Sequence, residues 1–177
     1  APGYASQADL SLSRMEALTG FRFEQAEEGP LKGVLSGSAA EVGIGKTQKT
    51  LFTVRPEDGV CELARGVGPL HDKTVMALKQ NAGWTSVFSA IPGMPAELLR
   101  GLFREAGVHL YSDSGDVLSA NDSWVMLHTR TAGLKHISLP RRCARVTEIT
   151  SEKVVGEELC AFDYEMPQHA TAVFLLE

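Results

Sequence analysis

The glycine-rich run Gly43-Ile44-Gly45-Lys46-Thr47 offers one possible chemistry, because it has the Gly-Lys-Thr end of a phosphate-binding loop. The full pattern has an earlier glycine, separated by four residues from Gly-Lys-Thr, and Ala40 occupies that position. The pattern also needs a buried strand before the loop and a helix after it, whereas residues 50–54 are typical of an extended segment. We therefore predict a solvated loop here and no nucleotide site.

Nucleophilic catalysis has no recognisable motif in this sequence. Neither Gly-x-Ser-x-Gly nor Gly-x-Cys-x-Gly, the patterns of a nucleophile elbow, occurs. Gly59-Val60-Cys61-Glu62 comes nearest, but it lacks the second glycine, so we predict that Cys61 is a strand residue packed in a core. Two carboxylates flanking a sugar bond would suffice for glycoside hydrolysis, but nothing in the sequence selects such a pair. No catalytic residue is predicted.

A metal site is a further possibility, at His109, Asp113 and Asp116, which could converge around a strand and a turn. Such a site would make the chain a small metal-dependent hydrolase. Metal sites need three or four ligands, and neither His-x-His nor H-E-x-x-H spacing is present. We favour local hydrogen bonds at an Asp-rich turn, with no metal and no cofactor. His128 and His136 are predicted to lie on neighbouring strands, where they could pair.

Two tryptophans, Trp84 and Trp124, could bind a carbohydrate, because an aromatic ring can stack on the C–H groups of a sugar. Trp84 follows Gly83 at a predicted turn, and Trp124 begins a predicted strand on which it shares parity with Met126 and His128. Packing in a core or an interface is the favoured interpretation of both tryptophans. A carbohydrate-binding module that uses one of them is the alternative.

Composition excludes several classes of partner. The 177 residues include 17 Lys plus Arg and 22 Asp plus Glu, for a formal net charge of −5. This balance lacks the excess of positive charge that is typical of proteins that bind nucleic acid or an anionic membrane. No apolar run approaches the roughly 18 residues that a membrane span needs. Three widely spaced cysteines favour free thiols and a reducing, cytoplasmic compartment. The opening Ala1-Pro2-Gly3-Tyr4, without Met or a signal segment, leads us to expect a processed or excised piece.

Two helices are predicted, and the remaining elements are strands. Ser13 and Glu16 form a possible capping box, with Gly20 as the C-cap of a short first helix. The second helix, over residues 96–106, begins after Pro95 and has one apolar stripe. The stretch 29–49 is rich in Gly, Ser, Ala and Lys and predicts loops or weak edge strands. Strands are predicted at 51–54, 60–64, 74–79 and 84–91, then at 108–111, 117–119, 124–129, 136–139, 145–149, 153–155, 162–166 and 171–176. The short strands after Gly107 predict a small β-sandwich or barrel-like domain.

Several segments resemble beta-galactosidase-like glycoside hydrolases. Ala1-Pro-Gly-Tyr4, followed by a helix that ends in Leu18-Thr-Gly-Phe21, resembles a late part of the trimerisation domain of that family. Arg104–Asn121 is similar to the junction that follows that domain. Trp124–His128, Ile137–Pro140 and His169–Leu176 resemble the C-terminal β-sandwich of such proteins.

The resemblance implies a mixed α+β fold in two domains. Residues 1–106 would be a partial α/β segment with an amidotransferase-like, flavodoxin-like fold, and residues 107–177 an antiparallel β-sandwich. The catalytic glutamates of the family lie on a separate upstream barrel, so none is carried over to this chain. The implied function is that of a non-catalytic portion that serves oligomerisation and supports the absent barrel. Its implied partners are the upstream catalytic domain of the same polypeptide and further copies of the chain.

Overall fold

A computed structural model describes residues 11–177 of the chain, and most of them lie in strands. The chain divides into two compact units, of which the first ends at Leu98 and the second covers Leu99–Glu177. The predicted domain boundary after residue 106 stays a prediction. Ala1–Tyr4, which contributes to the resemblance, lies outside the described residues. No helix among the described residues is long and apolar enough to cross a membrane.

The first unit is built on one antiparallel sheet. Its elements are α1 (Leu12–Thr19), β1 (Phe23–Leu35), β2 (Glu41–Val54), β3 (Val60–Gly66), a 3₁₀ turn (Gly68–Leu70), β4 (Thr74–Asn81) and β5 (Trp84–Ser89). The strands pair in the order β2-β1-β3-β4-β5. A bridge between Val54 and Thr74 also joins β2 to β4. Four of the five strands therefore form a closed ring of pairings.

The flavodoxin-like detail of the predicted fold is not confirmed in the described residues. A flavodoxin-like sheet is parallel, and its strands are joined by crossovers of about a dozen or more residues, usually helices. In the first unit every described pairing is antiparallel. The long strands β1 and β2 are joined by residues 36–40 alone, which is too short for a crossover. The coarser prediction, a mixed fold of strands and helices, is consistent with the structure, which is mostly strand.

Within the stretch 29–49, residues 29–35 and 41–49 are strand and only residues 36–40 are not. Of the two predictions for this stretch, loops or weak edge strands, the structure has strands for most of it, and the solvated loop predicted at Gly43–Thr47 is wrong. The stretch supplies the second half of β1 and the first half of β2, including the run Gly43–Thr47. Gly43 has φ +101°, and a Cβ at this position would collide with the carbonyl oxygen of Leu31. The register shifts between Pro30 and Lys32, opposite this glycine. Glycine is required here by the close approach of two paired backbones rather than by a loop.

Helix α1 is anchored by Met15, which is fully buried in a cluster with Phe23. Its C-cap is the predicted Gly20, in the left-handed conformation with φ +76°. The predicted capping box between Ser13 and Glu16 is wrong. The helix begins earlier, and Glu16 Oε1 instead accepts a hydrogen bond of 3.2 Å from the Phe23 amide. The side chain thus joins the helix to the start of β1.

The core of the first unit consists of two apolar clusters. The first cluster contains Val42, Leu51, Ala64, Leu70, Val75, Met76 and Ile91. The second contains Met15, Phe21, Phe23, Phe52, Val54 and Ala77. Phe23 and Phe88 meet edge to face at 4.8 Å between ring centroids. Each buried aromatic or branched side chain contributes about 1.5–3 kcal/mol, so these clusters account for much of the stability of this unit.

The second unit also has one antiparallel sheet. The division between the units falls within helix α2 (Ala96–Glu105). The strands that follow are β6 (Val117–Ala120), β7 (Trp124–His128), β8 (Gly133–Glu148), β9 (Lys153–Met166) and β10 (Thr171–Leu176). Their order is β6-β7-β10-β8-β9. The predicted antiparallel pairing of this domain is therefore present, in a single five-stranded sheet rather than two facing sheets. Residues 108–111, predicted as a strand, lie outside any strand.

Two pairs of predicted short strands are single long strands. Residues 136–139 and 145–149 mostly belong to β8, and 153–155 and 162–166 belong to β9. The register between β8 and β9 shifts between Ser138 and Cys143, around Pro140. A proline cannot donate to the sheet ladder, and an irregular register accommodates it without ending the strand.

One face of the second sheet carries the core. Its buried side chains are Val125, Leu127, Ile137, Leu139, Cys143, Val146, Phe162, Met166, Ala172, Phe174 and Leu176. Phe174 lies at the centre, with ring centroids 4.9 Å from Phe162 and 5.0 Å from Tyr164. Inward and outward side chains alternate along β10, so this core depends on strand register.

The turn between β8 and β9 is stabilised by Glu148, whose residue is only 3% exposed. Its carboxylate accepts hydrogen bonds from the amides of Thr150 at 3.1 Å and Ser151 at 2.8 Å. The Ser151 hydroxyl donates a third bond of 2.6 Å. Burial raises the pKa of this carboxyl, but the hydrogen bonds from Ser151 and Thr150 outweigh burial and lower the pKa to about 2.

The depressed pKa of Glu148 predicts a loss of stability in acid. The ionised carboxylate stabilises the fold fully above its ordinary pKa of 4.5, and this contribution is lost as the pH falls toward 2. We expect Glu148→Gln to lower the free energy of unfolding at neutral pH by about 2–3 kcal/mol. It should also reduce the acid dependence below pH 4.5. Urea unfolding over a pH series measures both effects, with the exposed Glu152→Gln as control. An unchanged acid dependence in Glu148→Gln would contradict this role.

Candidate functional site

Trp84 lies at the start of β5, beyond a tight hairpin. Asn81 and Trp84 are cross-strand partners, and only Ala82 and Gly83 lie between them. Gly83 has φ +86°, a conformation typical of the two-residue turns that reverse a strand. The indole is 46% exposed, so it is accessible to a ligand. Carbohydrate binding by Trp84 stays a prediction.

Trp124 begins β7 and is half-buried. Its side chain lies on the face opposite the buried Val125, and it shares that face with Met126 and His128, as parity along the strand predicts. Its partner on β10 is Leu175. Trp84 and Trp124 belong to different units, so they define two separate candidate surfaces. Binding of a sugar by Trp124 stays a prediction as well.

The sheet face around Trp124 is largely apolar, and we call it the outer face. Its apolar members are Val117, Trp124, Met126, Ile149, Val154, Val173 and Leu175, and the strand register places the polar Ser119, His128, Thr147 and Thr171 on the same side. Val117 is 57% exposed, Ile149 49%, Val154 42% and Leu175 39%. Apolar side chains grouped in this way on a surface are typical of an interaction site.

The three candidate metal ligands do not come together. His109 Nε2 lies 3.0 Å from the carbonyl oxygen of Ser138, and Asp113 forms an ion pair of 2.6 Å with Arg104. Asp116 is buried beside a lysine, as described below. Among residues 11–177 no group of three or more His, Cys, Asp or Glu side chains could hold a metal ion. The structure therefore gives no support to a metal-dependent hydrolase at these residues.

His128 and His136 are not on neighbouring strands, so that prediction is wrong. β10 lies between β7 and β8 in the sheet, and it separates the two histidines. His128 Nδ1 lies 2.9 Å from the hydroxyl of Thr171, and His136 Nδ1 lies 2.7 Å from Asp163 Oδ1. Each histidine is therefore part of a different cross-strand pair.

The three cysteines are free thiols in the structure. Cys143 is fully buried, but Cys61 and Cys160 are exposed. The prediction that Cys61 packs in a core is therefore wrong. Side chains alternate along β3, and the neighbouring Val60 is the one that packs against a core cluster.

A groove in the first unit was not foreseen from the sequence. It has a volume of about 450 Å³ and is lined by residues that include Leu31, Thr50, Phe52, Phe88 and Pro92. Thr50 has φ +60°, an uncommon conformation for a β-branched residue. The lining comes from distant parts of the chain, so only the pairing of strands reveals it.

Asp116 forms a buried ion pair with Lys135. Lys135 Nζ lies 2.9 Å from Asp116 Oδ2, and the two side chains are 6% and 1% exposed. Asp116 Oδ1 accepts a hydrogen bond of 2.8 Å from the Arg130 amide. Burial raises the pKa of Asp116, but this amide, the Ser114 hydroxyl and Lys135 together hold it below the ordinary value. The aspartate is thus a structural partner of a buried lysine.

Breaking this pair should destabilise the second unit. In Asp116→Asn the buried ammonium of Lys135 loses its counter-charge, so we expect a loss of about 3 kcal/mol in the free energy of unfolding. Denaturant unfolding measures it. Arg142→Gln, which breaks an ion pair between side chains 64% and 66% exposed, is the control and should cost less than about 1 kcal/mol. Equal losses in the two variants would refute the structural role of the pair.

No protein-family model and no curated protein sequence matches this chain. Solved structures do match its fold. Beta-galactosidase from Bacillus circulans sp. alkalophilus has a TM-score of 0.58 at 14% identity, over 93% of this chain and 25% of that chain. The cold-adapted beta-galactosidase from Rahnella sp. R3 has a TM-score of 0.56 at 11% identity, over 92% and 24%. Gan42B, a GH42 beta-galactosidase from G. stearothermophilus, has a TM-score of 0.57 at 8% identity, over 94% and 25%.

These likenesses concern the fold, because every identity is far below the level at which residues can be equated. The chain spans about a quarter of the length of these beta-galactosidases. Nearly all of the chain is covered in each comparison, so both of its units contribute to the likeness. The fold of this chain is thus similar to part of several beta-galactosidases.

Proposed function

We propose that this chain is a non-catalytic portion of a beta-galactosidase-like protein, in which it serves self-association and supports a catalytic barrel on the same polypeptide. The observation that carries the proposal is the outer face of the second sheet. The fold likeness supports it, because the chain corresponds to about a quarter of the beta-galactosidases that it resembles. An accessory portion of such a protein needs contact surfaces rather than an active site.

The outer face has the composition of a contact surface. One row across the sheet runs from Trp124 through Leu175 and Thr147 to Val154, so threonine is its one polar member. Apolar area left in water costs about 25 cal/mol for each Å², and covering the face with a second protein surface removes that cost. A partner surface that has no charged residue at its centre would therefore pack well on this row.

The polar groups that the sequence offered for chemistry have structural partners. Asp113 pairs with Arg104, and Asp116 pairs with Lys135. His109 contacts a backbone carbonyl. These contacts support a structural role for the acidic turn, in agreement with a portion that depends on a neighbouring domain for catalysis.

Self-association should depend on the outer face. We expect the purified chain to form oligomers, and Leu175→Lys and Val154→Lys to give monomers, because a buried ammonium opposes apolar contact. Sedimentation equilibrium measures the molecular mass, and circular dichroism checks that the fold is kept. Val87→Lys is the control, because Val87 is 41% exposed but belongs to the first unit.

Two results would contradict this proposal. The first is a wild-type chain that is monomeric at high concentration, since the outer face would then not drive self-association. The second is release of nitrophenol from nitrophenyl galactosides by the same preparations at a rate that survives further purification. Such turnover would show that the chain has an active site of its own.

A second candidate function, carbohydrate binding, is favoured by the exposure of Trp84. An indole that is 46% exposed beside a tight turn can stack on a sugar ring. We expect galactose-containing oligosaccharides to quench the fluorescence of the wild-type chain, and the quenching to vanish in Trp84→Phe, in which Trp124 is the remaining tryptophan. Trp124→Phe is the matched control and should retain the quenching. Unchanged fluorescence with galactose-, glucose- and xylose-based oligosaccharides would rule this function out.

A further inference from the structure

A cleft in the second unit contains a set of polar groups that neither candidate function uses. It has a volume of about 390 Å³ and is lined by residues 110–114 and by the first half of β8. This volume lies within the range of about 300–1,000 Å³ that is typical of small-molecule sites. We propose that this cleft binds a small, uncharged, polyhydroxylated molecule such as a monosaccharide.

Hydrogen bonds join the two segments that line the cleft. The Ser138 amide donates to the carbonyl oxygen of Tyr111 at 2.8 Å. His109 Nε2 contacts the Ser138 carbonyl at 3.0 Å, and its ring meets Tyr111 edge to face at 4.7 Å between centroids. The segment before β6 is therefore fastened to β8, and the cleft is largely pre-formed. A pre-formed site loses little conformational entropy when a ligand binds.

The charges at the cleft favour an uncharged ligand. Arg104 lies 2.6 Å from Asp113 Oδ1, so this guanidinium is already matched by a carboxylate. His136 is matched in the same way by Asp163, at 2.7 Å. These two basic groups leave no surplus positive charge for a phosphate or a carboxylate ligand, because each faces an acidic partner. Asp113 and Asp163 each face a basic group, so neither carboxylate is well placed to bind a metal ion.

The groups that remain accessible can bind hydroxyls. An ionised Asp163 can only accept a hydrogen bond, so His136 Nδ1 is the donor to it, and Nε2 is left to contact a ligand. The His136 and Asp113 side chains are 67% and 68% exposed, and both can form a hydrogen bond with a ligand. The hydroxyls of Ser112 and Ser114 lie 3.0 Å apart, and because Ser114 donates its proton to Asp116, it can only accept from a ligand. A polyol matches this set, because each of its hydroxyls both donates and accepts.

The cleft also has an apolar side. Leu110 and Leu134 line it, and Leu134 is 65% exposed, which is a large fraction for a leucine in a strand. The C–H face of a sugar ring can cover this leucine while its hydroxyls reach His136 and Asp113. The combination of apolar wall and acceptors distinguishes a sugar from water or from a purely polar solute.

The test is an NMR titration of the ¹⁵N-labelled chain with D-galactose, D-glucose and myo-inositol, with inorganic phosphate as a charged probe. We expect amide shifts at residues 110–114 and 134–138 with at least one polyol, with millimolar affinity, and none there with phosphate. His136→Ala should weaken binding about tenfold, because it removes one hydrogen bond to the ligand. Leu134→Ser should weaken it as well. His71→Ala, an exposed histidine in the first unit, is the control and should leave the affinity unchanged.

Three outcomes would overturn the proposal. The first is no shift at these amides with any of the three polyols up to about 50 mM. The second is shifts with phosphate in place of the polyols, which would mean an anion site. The third is shifts confined to the surroundings of Trp84, which would place sugar binding in the first unit. The proposal does not depend on self-association, so a monomeric chain would leave it intact.

Discussion

Strand register in the second unit decides which side chains the molecule buries and which it presents. Along β10, Ala172, Phe174 and Leu176 lie inward, while Val173 and Leu175 lie outward. A slip of one residue would exchange the two sets, and Phe174 would leave the centre of the core. The outer face around Trp124 and the cleft at His136 both depend on this alternation. The hydrophobic core therefore does more than stabilise the unit, because it fixes the register that places the candidate sites.

The same alternation buries a charged side chain in this unit. Lys135 precedes His136 on β8, so it points inward with Ile137 and is buried. An unpaired ammonium there would cost several kcal/mol, and Asp116 removes most of this cost at 2.9 Å. Asp116 comes from the segment before β6, which also forms a wall of the cleft. The ion pair between Lys135 and Asp116 thus helps to hold in place the segment that forms one wall of the candidate binding site.

Sequence reasoning succeeded where local signals decide the structure. The bounds of β10, the Gly20 cap and the limits of α2 follow from periodicity and capping, which need only neighbouring residues. It failed where a distant partner decides the structure, as at Gly43–Thr47, where a loop was predicted and the chain forms a strand paired with β1. The contact between His136 and Asp163 joins residues 27 apart in sequence, and no motif signals it. The alternation along β7 predicts the face on which Trp124 lies. The exposed neighbours that make this face apolar come from β6, β9 and β10 and from Ile149 after β8, so the sequence of β7 alone does not reveal them.

The likeness in fold without likeness in sequence has a physical origin in this type of structure. An antiparallel sheet requires alternation of apolar and other residues, tight turns and a few glycines, and very many sequences meet these conditions. Identities of 8–14% with a TM-score of 0.56–0.58 are what such loose requirements produce. A shared fold does not imply a shared reaction, because catalysis depends on particular side chains rather than on the alternation of apolar residues. The candidate sites proposed for this chain accordingly consist of outward residues that the fold does not require: the apolar outer face, Trp84 and the polar cleft.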